Sequence, residues 1–170
     1  MKHHTISVLV ENKFGVLARV AGLFSGRGYN ISSLTVNETQ DPSISKMTIV
    51  TSGDDDVLEQ IDKQLNKLID VLKVTDLTGS EFIERELALI KVRAARENKS
   101  EIIQTTEIFG GKIISVHQDE LGIEIQGEAD KIENFLSLMK DFGIIEVART
   151  GRVAISKHPG ATEDYSNILN

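Results

Sequence analysis

Apolar and polar positions change period repeatedly along this chain, and each change marks an element. Ile6-Ser7-Val8-Leu9-Val10 is a short apolar run with a β-branched bias, which predicts a mostly buried strand. From Gly15 the period lengthens, and Leu17, Val20, Ala21 and Phe24 recur at helical spacing with Arg19 facing away. Gly26 and Gly28 stop that helix, and Tyr29–Val36 reads as a second strand. The polar stretch Asn37–Ser43 contains Pro42 and predicts a turn, after which Ile44–Thr51 alternates as the third strand of a hairpin. Asp54, Asp55 and Asp56 suit the positive end of a second helix, backed by Val57, Leu58, Ile61, Leu65 and Leu68. Val71–Leu77 closes the unit as a fourth strand.

The pattern then runs again. Glu86–Ala94 is a strand, and Asn98–Gly110 is a helix carrying Ile102, Ile103 and Phe109. Lys112–Gln118 is a strand, Asp119–Gly122 a tight turn and Ile123–Gln126 the hairpin partner. Ile132, Phe135, Leu136 and Met139 mark another helix, and Ile144–Val147 opens the last strand. The order β-α-β-β-α-β, met twice, predicts an α+β fold of two tandem ferredoxin-like units, each an antiparallel sheet with both helices on one face. Thr78-Gly79-Ser80-Glu81 is the expected boundary, giving units over 1–79 and 80–156 and a loosely ordered polar tail over 157–170. Units of ~75 residues bury only a modest share of their surface, so exposed sheet faces or edges are expected to pair with a second copy.

Composition narrows the function. Of 170 residues 40% are hydrophobic and 26% charged, close to globular averages. A net charge of −7 argues against a partner bound through phosphates. RNA recognition modules share the topology but need exposed aromatics, and here aromatics are 5%. Cysteine is absent, which removes disulfides, thiolate metal sites and cysteine nucleophiles. The histidines at 3, 4, 117 and 158 lack metal-ligand spacing, and Asp54–Asp56 lacks that of a calcium loop, so no metal site is expected. No nucleophile elbow, phosphate loop or dinucleotide fingerprint is present, so no catalytic residue is assigned. No apolar run approaches the ~20 residues of a membrane span, and a cytoplasmic location is expected.

The remaining candidate chemistry sits at two turns. A helix that starts in a glycine turn leaves backbone N–H groups without intrahelical partners, which suits a small carboxylate. Gly15 provides that turn, with the amides of Val16 and Leu17 behind it, and Asn12 and Asn30 flank it with side-chain amides that donate and accept. Leu17, Ile31 and Val36 supply aliphatic surface. Together they suggest a pocket for a free amino acid, although each residue also reads as a plain turn, cap or core position. The second half has no counterpart to the Asn12 and Gly15 entry, so a ligand is expected in the first.

Val8-Leu9-Val10-Glu11-Asn12-Lys13-Phe14-Gly15-Val16-Leu17-Ala18-Arg19-Val20 resembles the opening of an ACT domain, the amino-acid-sensing module. Gly22–Val36, Asp41–Ile49, Gln60–Val71, Glu84–Val92 and Ile145–Gly151 are similar to the small regulatory subunit of acetohydroxyacid synthase, also called acetolactate synthase. The likeness runs over roughly residues 2 to 156 and implies an N-terminal ACT domain and an ACT-like C-terminal one. It implies a non-catalytic subunit that activates a large catalytic partner and makes it sensitive to valine or a related branched-chain amino acid. Thiamine diphosphate, magnesium and FAD are expected on that partner and no cofactor on this chain. In the family the effector lies between the ACT domains of a homodimer. Carried over, this matches Asn12 and Gly15 of one copy and Asn30 of the other, and with the residue reading the expected effector-binding set is Asn12, Gly15, Val16, Leu17, Asn30 and Ile31. The alternative is a freestanding amino-acid sensor without an enzyme partner.

Overall fold

The computed structural model describes residues 2–158, and the tail expected beyond them lies outside the described residues. The described chain falls into two units: residues up to Ile83 together with those from Arg152 on, and Glu84–Gly151.

In the first unit, β1 (Lys2–Glu11), α1 (Val16–Gly26), β2 (Ile31–Glu38), β3 (Ile44–Gly53), α2 (Asp55–Leu65) and β4 (Val71–Asp76) follow in order. The sheet is antiparallel in the order β2-β3-β1-β4, so β2 and β4 are its edges. Strand period two sends Ile6, Val8 and Val10 of β1 to the helix side, opposite Ile49, Met47 and Ser45 of β3. They pack with Val16, Val20 and Phe24 of α1 and Ile61 and Leu65 of α2. The buried stripe of α1 is therefore Val16, Val20, Leu23 and Phe24, which keeps Val20 and Phe24 of the expected one and replaces Leu17 and Ala21 with Val16 and Leu23. Leu17, expected in that stripe, is 42% exposed, because packing rather than spacing alone chose which of two adjacent apolar rows faces the sheet. Asp54 caps α2, its carboxylate accepting the Val57 N–H at 2.9 Å, as the acidic start anticipated.

Thr5, Ser7 and Leu9, at the alternate positions of β1, are buried as well. The need for outside cover thus falls on the edges of this sheet rather than on its middle. On β2, Val36 is exposed, and a bulge interrupts pairing between Ile31 and Ser33.

The second unit holds most of β5 (Phe82–Arg93), then α3 (Lys99–Ile108), β6 (Lys112–Val116), β7 (Glu120–Gly127), α4 (Ala129–Lys140) and β8 (Ile144–Arg149). Its order is β6-β7-β5-β8, the same topology as the first. Ala88, Ile90 and Val92 pack with Ile123, Ile125, Ile132, Phe135 and Met139, and the Phe109 and Phe135 rings meet edge-on at 5.3 Å. The β6–β7 turn is tighter than expected, since β7 begins at Glu120 and Gly122 sits inside the strand. A Cβ at Gly122 would stand 2.3 Å from Ser115 Oγ, which makes this glycine a close-approach residue rather than a turn residue. A short strand that the pattern did not announce, β9 (Val153–Ser156), lies in the stretch after Arg152 that belongs to the first unit. Only its Ala154 is buried, Val153 and Ile155 being exposed.

Candidate functional site

The turn between β1 and α1 is built by one glycine. Gly15 has φ +81° and ψ −5°, the left-handed region that costs L side chains about 1–2 kcal/mol, and it stands at the N-cap of α1. No side chain caps this helix, and its first backbone bond is Arg19 N–H to Gly15 O at 3.0 Å. The first-turn amides of Val16, Leu17 and Ala18 therefore precede any intrahelical bonding. Val16 N–H reaches Lys13 O only at 3.4 Å. Val16 offers the site backbone alone, because its side chain is buried in the core.

Asn12 holds the turn in place. Its Nδ2 donates to Glu38 Oε1 at 3.0 Å and to Pro42 O at 2.8 Å, and its N–H donates to Ser43 O at 2.7 Å. Both amide hydrogens are thus committed to the end of β2 and the β2–β3 turn, which leaves Oδ1 as the group open to a donor. Asp41 braces that turn, accepting from Ser43 N–H at 2.9 Å and Ser43 Oγ at 2.7 Å. These bonds, the hydroxyl's first, hold its carboxyl below the usual aspartate range.

Asn30 and Ile31 lie elsewhere. Asn30 is exposed, its carbonyl accepts from Thr51 Oγ1 at 2.7 Å, and Ile31 is half-buried against the core. Ile31 pairs with Thr51, which pairs with His4 near the start of β1, whereas Asn12 follows Glu11 at its end. Seven residues of strand, about 23 Å, separate the two ends. Within one chain the six expected residues therefore form two groups, Asn12-Gly15-Val16-Leu17 and Asn30-Ile31. An open cleft of about 770 Å³ borders the second group, lined by Gly28, Tyr29, Asn30, Ser52, Gly53, Asp54, Asp55 and Val57. Its two aspartates make it a poor place for a carboxylate.

The first-unit residues 6–73 match a family model described as the AHAS small subunit-like ACT domain, and residues 85–158 match one described as the small subunit of acetolactate synthase. A probable acetolactate synthase small subunit of Methanothermobacter thermautotrophicus is 56% identical over 155 residues, 91% of this chain and 92% of its own. The chain belongs to the acetolactate synthase small-subunit family. The isozyme 3 small subunit of Escherichia coli is 49% identical over 153 residues, covering 89% of this chain and 94% of its own. The crystal structure of the acetolactate synthase small subunit from Thermotoga maritima superposes with a TM-score of 0.83 at 47% identity, covering 94% of this chain and 99% of that one.

Two features of this small-subunit chain were not legible beforehand. Glu38 and Pro42 brace Asn12 from 26 and 30 residues away, a distance no local pattern reports. Arg19, which faces away from the core as its spacing implied, turns to Asp70: Nε and Nη2 each lie 2.8 Å from Asp70 Oδ2. Among the described residues no helix is long and apolar enough to cross a membrane.

Proposed function

We propose that this chain is the regulatory subunit of an acetolactate synthase, activating the catalytic subunit and conferring inhibition by valine bound where two copies meet. The catalysis and its thiamine diphosphate, magnesium and FAD belong to the large subunit, and the complex works in the cytoplasm. One observation carries the reading: the open mouth of α1 at Gly15 is braced, through Asn12, against Glu38 at the end of an edge strand.

A two-fold pairing of β2 with its mate runs the two strands antiparallel, so the Asn30 end of one copy meets the Glu38 end of the other. That places Asn30 and Ile31 of the second copy beside Asn12 and Gly15 of the first. An α-carboxylate then takes the Val16 and Leu17 amides, and the ammonium takes Asn12 Oδ1 and the second asparagine. The aliphatic side chain rests against exposed Leu17 and the Ile31 of the second copy. A methylene more or less changes such a fit by only ~1–3 kcal/mol, so valine and its branched-chain relatives compete for one place. The effector acts on the large subunit to the extent that it binds one arrangement of the pair better than the other.

Gly15→Asp tests this. The new carboxylate stands where the effector's own must sit. With the large subunit present, the variant is expected to activate as the parent does and to ignore valine. Valine inhibition at the parental concentration would refute the placement, and failure of the parent chain to capture a thiamine-diphosphate enzyme would point to a freestanding sensor.

A further inference from the structure

Two apolar side chains of the first unit stand in water almost whole: Phe14 at 102% exposure and Ile69 at 93%. They lie on different loops, Phe14 between β1 and α1 and Ile69 between α2 and β4. The loops are fastened to each other. Glu11 N–H donates to Asp70 O at 2.9 Å, and the Arg19 guanidinium grips the carboxylate of Asp70, which is itself buried. The same guanidinium reaches the effector turn, Nη1 lying 3.2 Å from where a Cβ on Gly15 would stand. Phe14 and Ile69 are thus carried on a stiff bracket whose third corner is Gly15.

We propose that Phe14 and Ile69, on the Arg19–Asp70 bracket, are the anchors by which this chain engages an apolar recess on its catalytic subunit. The proposal rests on the regulatory-subunit reading and adds the surface through which it works. A second copy is the wrong occupant on two counts. Ile69 leads into β4, the edge of the sheet opposite β2, about 14 Å away across three strand spacings. A self-complementary contact there, added to one at β2, would need a second two-fold axis and so an assembly larger than the dimer. The two side chains also offer far less than the ~800 Å² each partner of a stable pair supplies, an aromatic contributing about 150–250 Å². They fit the role of buried anchors within a larger heterologous contact, where a few apolar side chains dominate affinity. The large subunit that the family's name entails is such a partner. Because Arg19 lies against both the effector turn and Asp70, effector binding at Gly15 and partner binding at Phe14 and Ile69 are linked through one side chain.

The test uses the full chain carrying Phe14→Ser and Ile69→Ser, with three readouts: affinity for purified large subunit, affinity for valine by calorimetry, and mass in solution. Both sites are on the surface, so the fold and the dimer are expected to survive. Large-subunit affinity is expected to fall at least ~30-fold, as for loss of two anchors, with valine affinity unchanged. Large-subunit affinity equal to the parent's overturns the proposal, and so does loss of the dimer, which would hand the patch to a second copy. Asp70→Asn loosens the bracket alone and is expected to reduce the effect of valine on partner affinity while leaving Phe14 and Ile69 in place. A parent chain that binds the large subunit but no valine would sink the effector reading and leave the docking surface standing.

Discussion

The two units share one topology and differ where it matters. In each, the loop after the first strand lies against the hairpin that follows the first helix. In the first unit a loop residue ties the two together, Asn12 giving both amide hydrogens to Glu38 and Pro42. In the second the helix does it, Lys99 Nζ donating to His117 O at 2.8 Å and Gln118 O at 2.9 Å. The consequence for the helix mouth is opposite. A left-handed glycine keeps the start of α1 clear, whereas α3 begins with Asn98 at φ −107° and a lysine in its first turn. Asn98 does not cap its helix, and its Oδ1 is buried without a hydrogen-bond partner. Topology supplies two similar helix starts, and residue choice at the turn gives only the first a left-handed glycine.

The comparison breaks first on stability. In the second unit Arg149 forms a two-pronged pair with buried Glu86, at 2.6 and 2.9 Å, and a third bond to Glu133 at 2.6 Å. The bonds to Glu86 raise the guanidinium's pKa further above its ordinary value, against the opposing effect of burial. Arg149→Met strands the Glu86 carboxylate. Its expected cost is about 2–3 kcal/mol, below the usual range for a broken buried pair because Arg149 keeps a third of its surface in water. Thermal unfolding should shift while valine affinity per folded dimer does not. A matching loss of valine affinity would show that the units do not divide the work.

A smaller effect separates the two hairpin ties. Asn12→Leu and Lys99→Met each remove hydrogen bonds at the surface, and each is expected to cost about 1 kcal/mol of stability. Only Asn12→Leu should weaken valine binding, by at least ~10-fold, since it also deletes an acceptor for the ammonium. Equal effects of the two on valine would erase the distinction between the helix mouths.

The smallest expected effect is acid sensitivity. Asp41 has a folded pKa below its unfolded one, so its contribution is complete above the unfolded carboxylate value and is lost as pH falls through the folded value, below about pH 4. Ser43→Ala removes the main cause and should raise the Asp41 pKa, moving the loss of the turn to higher pH. A carboxyl-carbon NMR titration reads this directly, and an unchanged midpoint would contradict the assignment.

The fold was legible because its signals are local. The apolar β-branched run of Ile6–Val10 and the acidic helix start at Asp54 named their elements without help from distant residues. The boundary of α1's buried face was not, because Leu17 and Val16 both satisfy helical spacing and only the sheet's position decides between them. Strand β9 was missed because four residues are too few for a period to show. At the site, Gly15 announced its own turn, whereas the Glu38 and Pro42 brackets on Asn12 and the Asp70 partner of Arg19 lie 26 to 51 residues away and leave no local mark.

Period, turn chemistry and composition therefore determined the two-unit α+β architecture, the absence of thiol chemistry and the glycine turn that opens α1, since each depends on neighbours within a few positions. Tertiary structure alone decided that Asn12 and Asn30 stand at opposite ends of one sheet, that Phe14 and Ile69 share a bracket, and that β2 is an edge. Those facts depend on strand order and register, which are set by burial summed over the whole unit and not by any one segment.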